Sequence, residues 1–564
     1  MTQLTNEHIE YIKKDITYRG VVVEGIREEL IDHICDGVEC EMEKGMRFID
    51  AYHKVLHAFG HNSGLRNTQK NILRSTNQIP RIMIKNYITI AFRTLNKHRF
   101  YSLINIAGLA IGIASCLVIV LYVLNELGYD KHHTKGDRIV RVNSEVKVGT
   151  NHWKLAVAPA PLAEAFVAEY PEIETAVRFR QRGSFLVKRN ESADNFKEDE
   201  VIYADSTFFK IFTVPILEGA AGSALKEPNS IAISEKIANK YFPEGNALGQ
   251  TLILNNDQNC KVTAIFSDMP RSGHFWYDIL ISMSGLDEAK TTTFLSNNFN
   301  TYLLLKNGAD VQQLQSKFPA FVYKYIGPQA AAALGGDFTM EKFVAGGNKI
   351  EYTLMPLPDI HLRSALTAEL RANSDITYVY LFAVIALFIL GIACINFMNL
   401  STARSANRAK EVGVRKVLGS LRLHLIRQFL LESIMLSFFG FILAIGLAYL
   451  SIPHFNDLAL KELSLPLTSP SFYLMLMGAS LLIGGLAGLY PSFFLSAFKP
   501  VNVLKGQLAL GMKSGLIRSA LVVFQFMISI FLIIATITVN RQLGYIQNKN
   551  LGFNKDQVLI VNDA

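Results

Sequence analysis

Residues 376–420 read ITYVYLFAVIALFILGIACINFMNLSTARSANRAKEVGVRKVLGS, and an apolar run passes here directly into a basic stretch. Residues 376–403 contain no Asp, Glu, Lys, Arg or His, and the first charged residue after them is Arg404. About 20 apolar residues suffice for a helix to cross the hydrocarbon core of a bilayer. Residues 401–420 then carry five cations and one carboxylate. The stretch predicts a membrane span that ends at a basic loop.

The composition of the whole chain extends this prediction. The 564 residues are 50% hydrophobic and 18% charged, with a mean hydropathy of +0.22, which is unusual for a soluble protein. Helices of soluble proteins nearly always keep a charged face, whereas four further runs lack one: 100–125, 433–453, 463–498 and 519–540. We therefore predict five spans, near 102–124 (TM1), 377–400 (TM2), 428–451 (TM3), 471–495 (TM4) and 519–540 (TM5).

Lys and Arg concentrate in three segments that adjoin these spans. Residues 81–99 carry five and no acid, residues 401–427 carry seven and one Glu, and residues 498–518 carry four and no acid. Short loops rich in Lys and Arg mark the cytoplasmic side, and alternation of five spans puts all three on one side. We expect a cytoplasmic N terminus and an extracytoplasmic region from 126 to 375.

The basic stretch at 403–420 has the spacing of a helix. Its charged residues would share one face: Arg404, Arg408, Glu411 and Arg415. Its small residues would form another face, which a second backbone could approach closely: Ala406, Ala409, Gly413 and Val417. A topology anchor that touches anionic lipid is the simpler interpretation. The i, i+4 pair of Glu411 and Arg415 and the two distinct faces favour a cytoplasmic helix that contacts a protein partner.

The N-terminal residues 1–75 predict a small helical cytoplasmic domain. Apolar residues recur there at four-residue steps from Ile26 to Met42, and a second apolar pattern runs from Phe48 to Phe59. Residues 81–99 would place apolar residues on one side of a helix and cations on the other, and they predict an interfacial amphipathic helix that leads into the first span.

The large region at 126–375 mixes strand and helix patterns. NSIAIS (229–234) predicts a strand whose Ser234 caps the next helix, residues 251–266 predict a hairpin, and TYLLLK (301–306) predicts another strand. These patterns predict an α+β domain outside the membrane.

The sequence offers no catalytic or metal site. The centres of the spans lack ionisable groups, which argues against a proton-coupled pump. His53, His57 and His61 would share a helical face, but no acidic or thiol ligand completes a metal set. The segment nearest to a P-loop, GQLALGMKS (506–514), has Met512 where the lysine should stand. If ATP drives this protein, another chain binds it.

Two of the predicted spans each contain a pair of glycines four residues apart. Gly108 and Gly112 lie in the first, and Gly484 and Gly488 lie in the fourth. This spacing permits close helix contact, although glycine is frequent in spans without such a role.

Several local sequences together resemble the permease subunits of MacB/FtsX-like ABC transporters, in the long form common in Bacteroidota. Residues 1–75 resemble the prefix domain that some of these permeases carry. The segments are ELGYDKHHTKGDRIVRV (126–142), DSTFFKIFTVPILEG (205–219), SIAISEKIANKYFPEGNALGQTL (230–252), RAKEVGVRKVLGS (408–420), GGLAGLYPSFFLSAFKPVNVLKG (484–506) and ALVVFQFMISIFLI (520–533).

The resemblance implies a domain of the MacB periplasmic-core type at 126–375 and a coupling helix at 403–420 that meets a separate ATPase subunit. It also implies a permease dimer in the inner membrane that works with a periplasmic adaptor and an outer-membrane channel, without cofactors or nucleic acid. The coupling residues carried over are Arg408, Glu411, Gly413, Arg415 and Lys416. The long form has a second outer domain and three further spans, so we expect a truncated chain in which 541–564 begin that second domain.

The function implied is a non-catalytic permease that passes ATP-driven motion of its partner to the outer domain, for export or release of a peptide, drug or lipoprotein. A membrane scaffold or sensor whose outer domain binds a ligand or a cell-wall enzyme is the alternative. A membrane-tethered hydrolase with its site between 126 and 375 is a third hypothesis. A neighbouring gene for a P-loop ATPase would favour the first.

Overall fold

The computed structural model describes residues 4–19, 24–58, 88–93, 95–189, 195–403, 405–417, 420–497 and 512–549. The chain divides into two compact units, each assembled from segments that are far apart in the sequence. One unit comprises Met1–Ala107, Phe397–Phe439 and Met477–Leu510, and the other comprises Gly108–Asn396, Gly440–Leu476 and Gly511–Ala564.

Among the described residues, five helices are long and apolar enough to cross a membrane, and we call them the first to fifth spans. The predicted multi-pass membrane architecture is confirmed. The third span is longer than the predicted 428–451, because its helix continues through Pro453. The spans are Arg99–Glu126, Ile376–Ala403, Arg422–Ala459, Pro470–Ser496 and Arg518–Asn548, the last within the helix Met512–Asn548.

The described part of the N-terminal module contains three helices: α1 (Asn6–Tyr18), α2 (Glu24–Glu43) and α3 (Phe48–Ala58). Ile34 and Val38 from the predicted apolar pattern are wholly buried. The Tyr52 hydroxyl donates a hydrogen bond to Asp15 Oδ2 over 2.6 Å and so joins α3 to α1. Residues 88–93 are helical, while the rest of the predicted interfacial helix before residue 88, together with Phe59 and His61, lies outside the described residues.

The domain between the first and second spans, residues 127–375, is called the large domain below. Its strands are β1 (Ile139–Val148), β2 (Asn151–Leu155), β3 (Ala158–Pro159), β4 (Ile173–Arg180), β5 (Phe185–Arg189), β6 (Phe196–Glu198), β7 (Val201–Ala204), β8 (Ile216–Gly219), β9 (Ser230–Ser234), β10 (Thr251–Leu254), β11 (Gln258–Phe266), β12 (Ile279–Ser282), β13 (Asn297–Leu305) and β14 (Lys349–Pro356).

These strands form one mixed sheet of fourteen strands within the described residues. The order is β14-β1-β13-β4-β7-β12-β9-β11-β10-β5-β6, with β2 beside β1, β3 beside β13 and β8 beside β11. The pairs β9 with β11 and β7 with β12 are parallel, and the other pairs are antiparallel. The predicted hairpin at 251–266 is confirmed by the antiparallel pairing of β10 with β11.

Helices cover both faces of the sheet. Ile231 and Ile233 of β9 pack into one apolar cluster and Ala232 packs into another, so successive residues of this strand are buried on opposite faces.

Ser234 caps the next helix by accepting a hydrogen bond from the backbone N–H of Ile237, as predicted. The α-helices are Leu162–Glu169, Phe208–Ile211, Glu235–Tyr241, Val311–Gln315, Phe318–Phe321, Gly327–Leu334, Met340–Ala345 and Leu357–Arg363.

Two arginines fix the segment that leads from the large domain into the second span. Arg141 on β1 is wholly buried and pairs with Glu369. Arg371 donates a hydrogen bond to the Trp276 carbonyl over 2.9 Å, and its guanidinium lies 4.6 Å from the centre of the Trp276 indole ring. Because Arg141 is wholly buried and needs its carboxylate partner, the large domain holds the path of this segment at Glu369, and Arg371 adds a second contact.

Candidate functional site

The stretch between the second and third spans forms the helix Ser405–Val417, which we call the basic helix. It occupies most of the predicted 403–420. Arg404 and residues 418–419 lie outside the described residues, as do the side chains of Ala406 and Lys410.

Arg408 faces the chain's own third span. Its Nη1 donates to Glu432 Oε2 over 2.9 Å, and its Nη2 donates to Glu432 Oε1 over 2.6 Å. The guanidinium also lies 5.7 Å from the centre of the Phe429 ring. Bidentate charge-assisted pairs of this kind fix both position and orientation. Arg408 therefore holds the basic helix on the third span.

Two more cations of the basic helix point towards the same pair of spans. Arg415 donates to Gln428 Oε1 over 2.6 Å and forms the predicted ion pair with Glu411, also at 2.6 Å. Lys416 donates from Nζ to the Ser496 carbonyl, at the end of the fourth span, over 2.7 Å. The helix is thus attached to both spans by its basic side chains.

The basic helix also makes an apolar contact with the third and fourth spans. Val412 is buried against residues of the third and fourth spans, with Ala409 and Gly413 beside it on the same inward side. Gly413 therefore lies at the contact of the basic helix with its own chain. The residues packed with Val412 are Leu425, Phe429 and Leu495.

The exposed side chains described in this region include three apolar residues and one carboxylate. Glu411, Val414, Val417 and Leu421 have exposed fractions of 54%, 49%, 63% and 64%. Val414, Val417 and Leu421 follow one another at spacings of three and four, and we call these three residues the apolar row. The predicted charged face is therefore divided: Glu411 is exposed, whereas Arg408 and Arg415 turn towards the spans. The coupling role of the five predicted residues stays a prediction.

The sequence reasoning missed Glu432 and the apolar row. A signal for Glu432 was present, because a single carboxylate at the edge of an apolar run usually has a buried partner. Val414 and Val417 of the row were also visible at helical spacing, but Val417 was assigned to the small-residue face, and Leu421 follows the end of the helix.

Helices approach closely at the four predicted glycines. A Cβ placed on Gly112 would lie 2.7 Å from Ala393 Cβ of the second span, and one on Gly108 would lie 3.3 Å from Asn396 Nδ2. A Cβ on Gly484 would lie 2.7 Å from the Ile434 Cα. A Cβ on Gly488 would lie 2.6 Å from the Ser433 Cβ, also in the third span. The fourth and third spans therefore touch almost backbone to backbone.

In the part of the chain that the structure describes, no group of three or more His, Cys, Asp and Glu side chains is arranged to hold a metal ion.

Two protein families match the sequence. Residues 102–321 match the MacB-like periplasmic core domain, and residues 383–500 match the FtsX-like permease C-terminal domain. Together these matches span more than half of the chain. The first covers the first span and most of the sheet, and the second covers the basic helix with the spans around it. The two matches and the spans together define a multi-pass permease with a large domain between its first two spans. The chain belongs to the MacB/FtsX-like family of ABC transporter permeases.

Individual relatives are similar to the chain at low identity. The uncharacterized ABC transporter permease YvrN of Bacillus subtilis is 24% identical over 443 residues, which cover 74% of this chain and 99% of YvrN. The pyoverdine export ATP-binding/permease protein PvdT of Pseudomonas entomophila is 22% identical, over 74% of this chain and 59% of PvdT. The macrolide export ATP-binding/permease protein MacB of Campylobacter jejuni is 32% identical, over 25% of this chain and 21% of that protein. The chain thus spans less than two thirds of each of the two export proteins.

Proposed function

We propose that the chain is the permease subunit of a MacB/FtsX-type ABC transporter. A separate ATPase subunit hydrolyses ATP, and the permease passes the resulting motion to the large domain, for export or release of a peptide, drug or lipoprotein. The names of the pyoverdine and macrolide export relatives support this class of substrates. The family and the apolar spans support the membrane location.

The observation that carries the proposal is the surface of the basic helix. The apolar row and Glu411 are exposed, while Arg408, Arg415 and Lys416 bind the helix to the third and fourth spans. A partner that binds the row would therefore pull on both spans rather than on a loose loop. The positive-inside rule supports a cytoplasmic position for this surface, where an ATPase subunit could bind it.

The same rule leads us to propose an inner-membrane protein with a cytoplasmic N terminus and an extracytoplasmic large domain. A second copy of the permease, a periplasmic adaptor and an outer-membrane channel are further proposed partners, which rest on the family alone.

The test changes the apolar row in the chain co-expressed with its proposed ATPase subunit. Burying a valine side chain contributes about 1.5–3 kcal/mol, and an aspartate at the same place would bury an unpaired charge. We expect Val414→Asp to weaken co-purification of the ATPase at least about tenfold, since each 1.4 kcal/mol is a factor of ten. Glu411→Lys is expected to act in the same direction.

Leu334→Asp is the matched control, because Leu334 is an exposed apolar residue of the large domain. It should leave co-purification unchanged. If Val414→Asp and Glu411→Lys both bound the ATPase at wild-type strength, the basic helix would be a topology anchor only. The scaffold or sensor hypothesis would then be preferred.

A further inference from the structure

A buried ionic cluster lies where the first span enters the large domain. The Glu126 carboxylate is fully buried at the end of the first span. Its Oε1 lies 2.5 Å from Lys461 Nζ, and its Oε2 lies 3.0 Å from His361 Nε2. An isolated carboxylate would be costly to bury, so both partners are needed to compensate its charge and lone pairs.

The three residues come from three different connections of the chain. Glu126 closes the first span, directly before the large domain begins. His361 lies in the helix Leu357–Arg363, which leads out of the large domain towards the second span. Lys461 lies in the connection between the third and fourth spans. The cluster therefore joins the end of the third span to both connections of the large domain.

Tyr129 fills the space around the cluster. Its ring stacks on the His361 ring with centres 3.4 Å apart and planes 3° apart. Lys461 Nζ donates a hydrogen bond to its hydroxyl over 2.8 Å. Burial by itself would lower the pKa of the Lys461 ammonium, but the hydrogen bonds and charge of Glu126 and Tyr129 raise it above its usual value. Lys461 therefore stays charged in this cluster.

The connection that carries Lys461 is tightly structured. Leu460 has φ = 52°, a left-handed conformation that turns the chain directly after the third span ends at Ala459. The Lys461 backbone N–H donates to the Asn456 carbonyl over 3.1 Å. The Asn456 side chain accepts from the Leu463 N–H and donates to the Leu463 carbonyl, both over 2.9 Å. A movement of the end of the third span is thus passed to the Lys461 ammonium.

We propose that Lys461, with Glu126 and His361, is the junction through which the third span moves the large domain. We call these three residues the ionic junction, and Lys461 is its positioning residue. This inference rests on the proposed function. The third span begins next to the basic helix in the sequence and ends next to Lys461, so it links the ATPase-binding surface to the junction. Separating Lys461 from Glu126 would leave a buried carboxylate with too few partners, and so the connected segments move together.

The experiment uses the full chain in complex with its ATPase, reconstituted in lipid. Hydrogen exchange of β14 in the large domain is measured with and without ATP, beside the rate of ATP hydrolysis. In the wild type we expect ATP to change the exchange of β14. In Lys461→Met we expect hydrolysis to continue while the ATP-dependent change falls at least fivefold. Lys461→Arg keeps the charge and should restore most of the change.

Two further variants separate transmission from folding. Glu462 lies on the same connection as Lys461 and forms an exposed ion pair with Arg271 of the large domain. Glu462→Ala removes this pair and should leave the ATP-dependent change intact. The double variant Glu126→Gln with Lys461→Met removes both charges of the pair and so leaves no unpaired buried carboxylate. It should recover any loss of protein amount without recovering the ATP-dependent change.

Each outcome decides between the two claims. If the wild type shows the ATP-dependent change and Lys461→Met shows it equally, the ionic junction is wrong while the proposed function stands. Recovery of the change in the double variant would also overturn the junction. If the wild type neither binds its ATPase nor responds to ATP, the proposed function fails, and the transmission role of Lys461 fails with it.

Discussion

His133, in the segment between the first span and β1, is held in its neutral form. The backbone N–H of Thr213 donates to its Nδ1 over 3.1 Å, and the Phe212 ring lies 5.1 Å away. A ring nitrogen that accepts a hydrogen bond carries no proton. Burial, and then the charge of neighbouring His132, lowers the pKa of His133 from 6.5 to about 3. Protonation of this residue therefore opposes folding of the large domain.

This pKa shift predicts how the stability of the large domain depends on pH. Below pH 6.5 the unfolded chain binds a proton at His133 that the folded chain does not bind until about pH 3. The contribution to stability is therefore complete above pH 6.5 and is lost as the pH falls towards 3. We expect the urea midpoint of residues 130–370, cut out as a soluble fragment, to fall on acidification from pH 8 to pH 4.

The control for this prediction is His133→Asn, which keeps a hydrogen-bond acceptor but does not titrate. Its midpoint should fall less steeply over the same range. Equal slopes for both proteins would exclude His133 as the cause. The fragment is expected to unfold cooperatively, because its sheet is covered on both faces.

At the scale of single elements, the sequence predicted the basic helix but not its orientation. Helical spacing depends on neighbours in the chain, so the pattern was visible at 403–420. The partners that turn Arg408 and Arg415 inward lie 24 and 13 residues away, on another helix. The ionic junction was missed altogether, since His361 and Glu126 are separated by 235 residues. Spacing within one helix carries no information about such contacts.

The contact between the third and fourth spans predicts unequal effects at two adjacent glycines. A Cβ on Gly484 would meet the Ile434 backbone at 2.7 Å, whereas one on Gly485 would meet nothing within 4 Å. Backbone cannot rotate away as a side chain can, so Gly484→Ala should destabilise the full chain by about 1–3 kcal/mol. Gly485→Ala should be neutral or slightly stabilising, because alanine favours helix.

The measurement is the thermal unfolding midpoint of each purified variant in the same detergent. A clearly lower midpoint for Gly484→Ala alone is the expected result. Equal midpoints for the two variants would mean that the spans can separate at this point without cost.

For the whole molecule, the membrane spans could be predicted and the sheet order could not. A span is recognised from one continuous apolar run, which the bilayer requires. The hairpin of β10 and β11 is also local and was predicted. β9 lies between β11 and β12, and both of these strands follow it in the chain, on either side of a further connection. Its position therefore depends on separate segments, and no single segment encodes it.

The position of Trp276 beneath Arg371 gives the protein an optical reporter of its own. The chain contains only two tryptophans, and both Trp153 on β2 and Trp276 belong to the large domain. Indole emission from the intact membrane protein therefore arises from that domain alone. A cation 4.6 Å from the ring centre perturbs the indole, so displacement of Arg371 should shift the emission. Stopped-flow fluorescence after ATP addition to the complex should show a change that Trp276→Phe abolishes; a change that persisted in this variant would come from Trp153 or from tryptophans of the ATPase subunit.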